Sequence, residues 1–167
     1  HLRQLTDATG LTSNLAIRDD ADVLLIDRVL GRLGRYHHLE FSLRVGSRLP
    51  FYCSATGKAL LAYMPRPDLD RLLDRMDMTQ RGPRTLTDKN SLLRELAKVR
   101  RTSIATNDEE LDSALRSIAA PICSRSGQAV AAVVVAIPWS PAGMNDLVSR
   151  FGPAVRATAD RIAAQVI

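Results

Sequence analysis

The sequence predicts an α+β domain in which helices pack on the faces of one mostly antiparallel sheet. Three observations carry that prediction. Two pairs of apolar, β-branched runs are each joined by turn residues: Ser13 to Arg18 with Val23 to Leu30 across Asp19-Asp-Ala-Asp22, and Arg116 to Ser124 with Ala129 to Ile137 across Arg125-Ser-Gly-Gln128. Between these hairpins the apolar spacing is helical, and after them Asp146 to Ile167 forms one amphipathic stretch.

Each element follows from local chemistry. Leu2 to Thr9 reads as a short helix stopped at Gly10, a residue suited to the left-handed backbone that ends helices. After the first hairpin, Gly31-Arg-Leu-Gly34 breaks the chain before a third strand-like piece, Tyr36 to Val45. A helix then starts at Thr56 and runs through Ala59-Leu-Leu-Ala62. A second, with Pro67 in its first turn, turns Leu69, Leu72, Leu73 and Met76 inward, and a third spans about Lys89 to Arg101 behind an N-cap at Thr87 or Asp88. Strand character returns at Ser103 to Thr106 and in the second hairpin, whose last strand is apolar throughout and reads as central to the sheet. The closing helix turns Leu147, Val148, Phe151, Val155, Ile162 and Val166 inward, and Pro153 is expected to kink or interrupt it. The sum is five or six strands, three helices inserted in the middle and one at each end.

At 167 residues the chain suits a single domain with one core. Hydrophobic residues at 46% and charged residues at 25% are ordinary for a globular protein, and no run approaches the ~20 apolar residues that span a bilayer. No membrane association is expected. No basic, apolar, small-residue leader opens the chain, which starts at His1 and is expected to extend further upstream. Cys53 and Cys123 lie far apart in unlike contexts, which reads as two thiols in a reducing cytoplasm. The net charge of +5 is spread among interspersed acids, as in Asp68-Leu-Asp-Arg-Leu-Leu-Asp-Arg75, and aromatic residues are only 4%. That pattern describes solvated helix faces and excludes base-stacking platforms, so the charge does not make this domain itself a nucleic-acid binder.

Ser54-Ala-Thr-Gly-Lys58 stands before the first middle helix. A phosphate-binding loop needs glycine at position 52 and Ser or Thr at 59, but Tyr52 and Ala59 stand there, so a nucleotide loop is excluded. Two readings stay open: the turn merely caps the helix, or its free N–H groups at the positive end of the dipole meet a carboxylate. Gly31 to Gly34 matches the outline of a nucleic-acid backbone clamp but lacks its flanking helices. His37 and His38 are strand neighbours that face opposite ways and cannot share a metal. Ser54 and Lys58 are one residue too far apart for a Ser-x-x-Lys nucleophile, and no Gly-x-Ser-x-Gly is present. Asn107-Asp-Glu-Glu110 has oxygens enough for a divalent cation, yet loop carboxylates are the simpler account. No catalytic residue, metal ligand or cofactor site is expected.

Taken in order, several segments closely resemble the effector-binding domain of the IclR-type bacterial transcriptional regulators. They are Leu2 to Ala16, Val45-Gly-Ser-Arg-Leu-Pro50, Ala55-Thr-Gly-Lys-Ala-Leu-Leu-Ala62, Arg84-Thr-Leu-Thr-Asp88, Leu96 to Arg101, Asn107-Asp-Glu-Glu110, Leu115-Arg-Ser-Ile-Ala-Ala-Pro121 and Ala131 to Pro138. The resemblance covers residues 1 to 167 and implies a GAF- or profilin-like fold: a curved antiparallel sheet of about six strands with helices on both faces and a ligand cavity on one side. It further implies a homodimer or tetramer, and DNA contact only through a winged helix-turn-helix domain that this chain lacks.

Carried over position by position, the family's effector site falls on His38, Phe41, Leu49, Ala55, Thr56, Gly57, Asn107, Ser117, Val134 and Ala136. The N–H groups of Thr56 and Gly57 would cradle a carboxylate, with Lys58 pointing away. Members that sense very small keto acids have Asp, Cys and two serines where this chain has Asn107, Ser117, Val134 and Ala136, and Ala114 replaces a usual glycine. Those exchanges suit a larger or more apolar acid, including an aromatic one. Arg48-Leu-Pro-Phe-Tyr-Cys53 and Glu110-Leu-Asp-Ser-Ala-Leu-Arg-Ser-Ile-Ala119 look most like the branch regulating aromatic-compound catabolism. The expected partner is therefore a small organic acid effector. The alternatives are a GAF-like enzyme using Cys53 or His38, and a dimerisation module with an empty pocket.

Overall fold

A computed structural model of the chain describes residues 1–32, 43–113, 115–138 and 140–166, the last without its side chain. The sheet has six strands, all antiparallel: β1 (Thr12–Asp19), β2 (Asp22–Val29), β3 (Arg48–Pro50), β4 (Ala105–Asp108), β5 (Arg116–Cys123) and β6 (Ala129–Ile137). Their spatial order is β3-β2-β1-β6-β5-β4, so the two predicted hairpins meet through β1 and β6 at the centre. Helices α1 (Leu2–Thr9) and α5 (Met144–Val166) cover one face, and α2 (Ala55–Ala62), α3 (Arg66–Arg75) and α4 (Lys89–Thr102) the other.

The period of two along the strands separates two cores. On β6, Ala131, Val133, Val135 and Ile137 join Leu2, Leu5, Phe151 and Val155 under α1 and α5. Ala132 and Val134 face the other way, into a cluster with Phe51, Leu61, Leu92 and Val99 under α2 to α4. A strand buried on both faces is an uninterrupted apolar run, as the sequence of β6 showed.

Helix ends follow the sequence closely. Gly10 closes α1 at φ 72°, donating its N–H to Thr6 O at 2.8 Å. Asp88 caps α4 by accepting from Ser91 N at 2.8 Å. Three expectations shift. The helix α4 continues through Thr102 and ends on Ser103 in the left-handed region, so β4 begins at Ala105 rather than Ser103 and Asn107 sits inside it. The third strand is Arg48–Pro50, which pairs with β2, a segment too short to carry a period-two signal. Of the expected strand Tyr36 to Val45, residues 36–42 lie outside the described residues and 43–45 are coil and turn. Finally, α5 runs unbroken through Pro153 from Met144.

Candidate functional site

Between the face of the sheet under α2 and the start of that helix lies a cavity lined by residues from β1, β2, β5 and β6, by Leu49 of β3 and by Asn107 of β4. Strand register explains the convergence. Side chains directly opposite each other share a face, so Arg28, Asn14 and Val134 form one cross-strand row and Asn107, Ser117 and Ala136 another. Of the ten positions expected from sequence, Leu49, Ala55, Thr56, Asn107, Ser117, Val134 and Ala136 line this one cavity. His38 and Phe41 lie outside the described residues, as do Ala114 and the second half of Gly31-Arg-Leu-Gly34. Gly57 is not on the lining. The void measures about 40 Å³, room for a few waters and well short of the ~300 Å³ of a typical ligand site. A ring-sized guest therefore requires the surrounding leucines, Leu43, Leu49, Leu111 and Leu115, to give way.

The start of α2 decides which amides face that void. Ser54 is the N-cap: its Oγ accepts from Gly57 N at 3.1 Å and donates to Pro50 O at 2.6 Å, while Lys58 N donates to Ser54 O. The amide of Gly57, expected to help cradle a carboxylate, is thus already engaged. Those of Ala55 and Thr56 have no acceptor among the described residues, and both residues line the cavity. Glycine at position 57 answers a packing demand: a Cβ there would stand 2.2 Å from Phe51 O. Of the two readings left open by the sequence, capping is what Ser54 does for Gly57, while the amides of Ala55 and Thr56 take no part in it.

Lys58 turns away from the cavity and is buried. Its Nζ donates to Glu110 Oε1 at 2.6 Å, with side chains 1% and 8% exposed. Burial pushes the Glu110 carboxyl above its ordinary range, and Lys58 opposes that rise. The pair ties the α2 start to the β4–β5 connection, whose geometry Asn107 fixes by accepting from Glu110 N at 2.8 Å and Leu111 N at 3.3 Å. Because an amide oxygen accepts and its nitrogen cannot, these bonds leave the Asn107 NH₂ group as a donor. The remaining acids are also spent: Asp108 lies against Arg84 and Arg116, and Glu109 lies 3.4 Å from Arg116. The Asp108 to Arg116 Nε separation is 2.8 Å but misaligned for a hydrogen bond. No group of acids, histidines and cysteines suited to a metal occurs among the described residues.

Cys53 is fully buried, and burial pushes its thiol up to about 11, against the lowering influence of Arg81. A thiol protonated at neutral pH is a poor nucleophile. Tyr52 beside it donates to Thr79 O at 2.7 Å. Two larger grooves are surface features. One of about 650 Å³, between the β1–β2 turn and α3, sets four arginines against four aspartates; another of about 540 Å³ runs along α5 past Pro153. Neither gathers any of the expected residues.

Residues 1–164 match the family described as bacterial transcriptional regulator IclR C-terminal. The chain belongs to the IclR family. Its relatives are transcriptional regulators and not enzymes, among them the Pca regulon regulatory protein of Pseudomonas putida, 36% identical over 159 residues, covering 94% of this chain and 53% of that protein. The probable transcriptional regulator SauR of Cupriavidus necator is 32% identical over 161 residues, covering 96% of this chain and 62% of that one. Among solved structures, Thermotoga maritima IclR superposes with a TM-score of 0.90 at 25% identity, over 99% of this chain and 65% of that one. The IclR-family chain described here thus spans somewhat over half the length of these relatives, and its six-stranded α+β architecture is that of the family's C-terminal domain.

The position-by-position transfer missed Asn14, Leu25, Arg28, Leu43, Ser54, Leu111 and Leu115 on the lining. Asn14 shares its phase with Ala16 of the inner core, but Arg28 stands three positions after inward-facing Leu25 and reaches that face only because a bulge at Ile26 shifts the register, which no alternation in the sequence foretells.

Proposed function

We propose that this domain is the effector-sensing part of a longer DNA-binding regulator and takes a small organic acid, aromatic acids included, in the cavity under α2. The observation that carries this reading is convergence. Seven positions expected from family resemblance meet at one cavity where two helix-start amides have no acceptor among the described residues. Those amides, at the positive end of the α2 dipole, suit a carboxylate. The mostly apolar walls, Leu25, Leu49, Val134 and Ala136 among them, suit the hydrocarbon part of the acid. The 36% identical relative is named for the Pca regulon, which agrees with control of aromatic catabolism.

DNA contact belongs to a winged helix-turn-helix domain preceding residue 1, and the domain works as a dimer or tetramer. Because an acid can shift the arrangement of paired copies only by its differential affinity for two states, the small void is one state and an opened cavity the other. Titration calorimetry against a panel of aliphatic and aromatic carboxylates, with product analysis after incubation, tests this. Saturable binding without turnover is expected. No heat from any acid in the panel, or conversion of one, overturns it.

A further inference from the structure

We infer that Arg116 is the positioning residue that carries a guest's displacement of Leu115 through the sheet to the start of α5. The inference rests on the proposed sensing of an acid and adds how an occupied cavity reaches the opposite face. Leu115 and Ser117 both line the cavity. Arg116 stands between them and, by the alternation of a strand, points to the other side, in register with Asp108 of β4 and Ile137 of β6. There its Nη1 donates to Ala142 O at 2.6 Å and to Ser140 O at 3.2 Å, on the connection that leads from β6 into α5. Among the described residues no other side chain from outside that connection bonds to it.

The guanidinium is held firmly in this place. Glu109 Oε1 lies 3.4 Å from Nη2 and Asp108 lies beside Nε, so two carboxylates balance a side chain that is only 11% exposed. Leu115 joins the same network through its backbone: Glu109, in the left-handed region at φ 60°, donates its N–H to Leu115 O at 3.1 Å. Leu115 is among the leucines that give way to a ring-sized guest. It cannot shift without moving Arg116, and a planar fork bonded to two carbonyls passes that movement on with little slack. Close-packed elements answer such a push by a discrete shift and not by gradual deformation. The first turn of α5 takes it up, and Leu147, Phe151 and Val155 of that helix share one cluster with Leu2 and Leu5 of α1, the first element of the chain.

The test is ¹⁵N amide shifts of residues 143 to 147, on the face away from the cavity, in wild type, R116Q and R116K titrated with benzoate, terephthalate and succinate. Saturation of the wild type is expected to move these amides, though less than Ala55 and Thr56. R116Q is expected to abolish that movement while acid affinity changes less than about tenfold, because Arg116 is not on the cavity lining. R116K, which keeps the charge without the fork, is expected to show a reduced movement. Movement absent from the saturated wild type, or preserved in R116Q, overturns the inference and leaves the acid-sensing reading standing. A folded R116Q that no longer binds acid makes Arg116 a support of the cavity itself and also overturns it. If R116Q does not fold, R116K decides: movement equal to that of the wild type overturns the inference. Absence of binding by all three acids to the wild type counts against acid sensing and removes the inference with it.

Discussion

Replacing Lys58 by Met removes one charge from a pair that is almost wholly buried, with Nζ 2.6 Å from Glu110 Oε1. Methionine fills a similar volume, so the loss is chiefly electrostatic. The stranded carboxylate escapes by taking a proton, and the cost of holding it neutral is about 1.36 kcal/mol for each pH unit above its unfolded value. With an ordinary value of 4.5 for that glutamate, the deficit at pH 7.5 is at most about 4 kcal/mol, within the range of about 3–5 kcal/mol seen when a buried pair loses one partner.

The pH dependence follows from the direction of the shift. A folded-state value above the unfolded one gives stability that is full below about 4.5 and lost as pH rises. The Lys58→Met deficit should therefore shrink to about 1.4 kcal/mol at pH 5.5. Urea unfolding at pH 5.5, 6.5 and 7.5 measures it, alongside Lys58→Met/Glu110→Met, which exchanges the pair for apolar contact and should recover most of the loss. A deficit independent of pH, or below about 1 kcal/mol at pH 7.5, refutes the reasoning.

Three further outcomes follow from the site. Thr56→Pro removes one amide from the cavity in a first turn that tolerates proline, as α3 does with Pro67. It should weaken acid binding about 10- to 150-fold, the worth of a hydrogen bond to a charged group, with little change in unfolding temperature; calorimetry with unchanged affinity would remove Thr56 N–H from the site. Ala136→Leu fills a void of about 40 Å³ and should abolish acid binding while leaving the far-ultraviolet circular dichroism intact. Cys53, fully buried with its thiol raised to about 11, should react with a thiol reagent at pH 8 only on unfolding, and Cys53→Ala should bind acids as wild type does. Rapid labelling of the native thiol would contradict its burial.

Much of the fold was legible because its signals are local. Gly10, Asp88 and the turn Arg125-Ser-Gly-Gln128 carry their own backbone instructions, and the apolar run Ala129 to Ile137 announces a strand covered on both faces. What was not legible depends on pairing. Arg48–Pro50 is a strand only because β2 lies beside it, and Asn107 belongs to β4 only because α4 keeps its last turn through Thr102. The same holds within the site. Resemblance supplied Leu49, Thr56 and Ser117, but Arg28 enters through its register with Asn14, and the Gly57 amide leaves because Ser54 Oγ turns back on it. Lys58 was expected only to point away from the ligand, and nothing nearby in sequence foretells its partner Glu110, 52 positions on.

The claim that a small acid is held at the start of α2 is tested most directly by amide chemical shifts. In a ¹⁵N-labelled sample titrated with succinate and with terephthalate, the account predicts the largest movements at Ala55 and Thr56, with Ser117 and the Asn107 side-chain NH₂ following. Gly57, whose N–H is held by Ser54 Oγ at 3.1 Å, should move much less. Saturating shifts confined to the groove between Arg18 and Arg75, or a Gly57 amide that moves as far as Thr56, would contradict it.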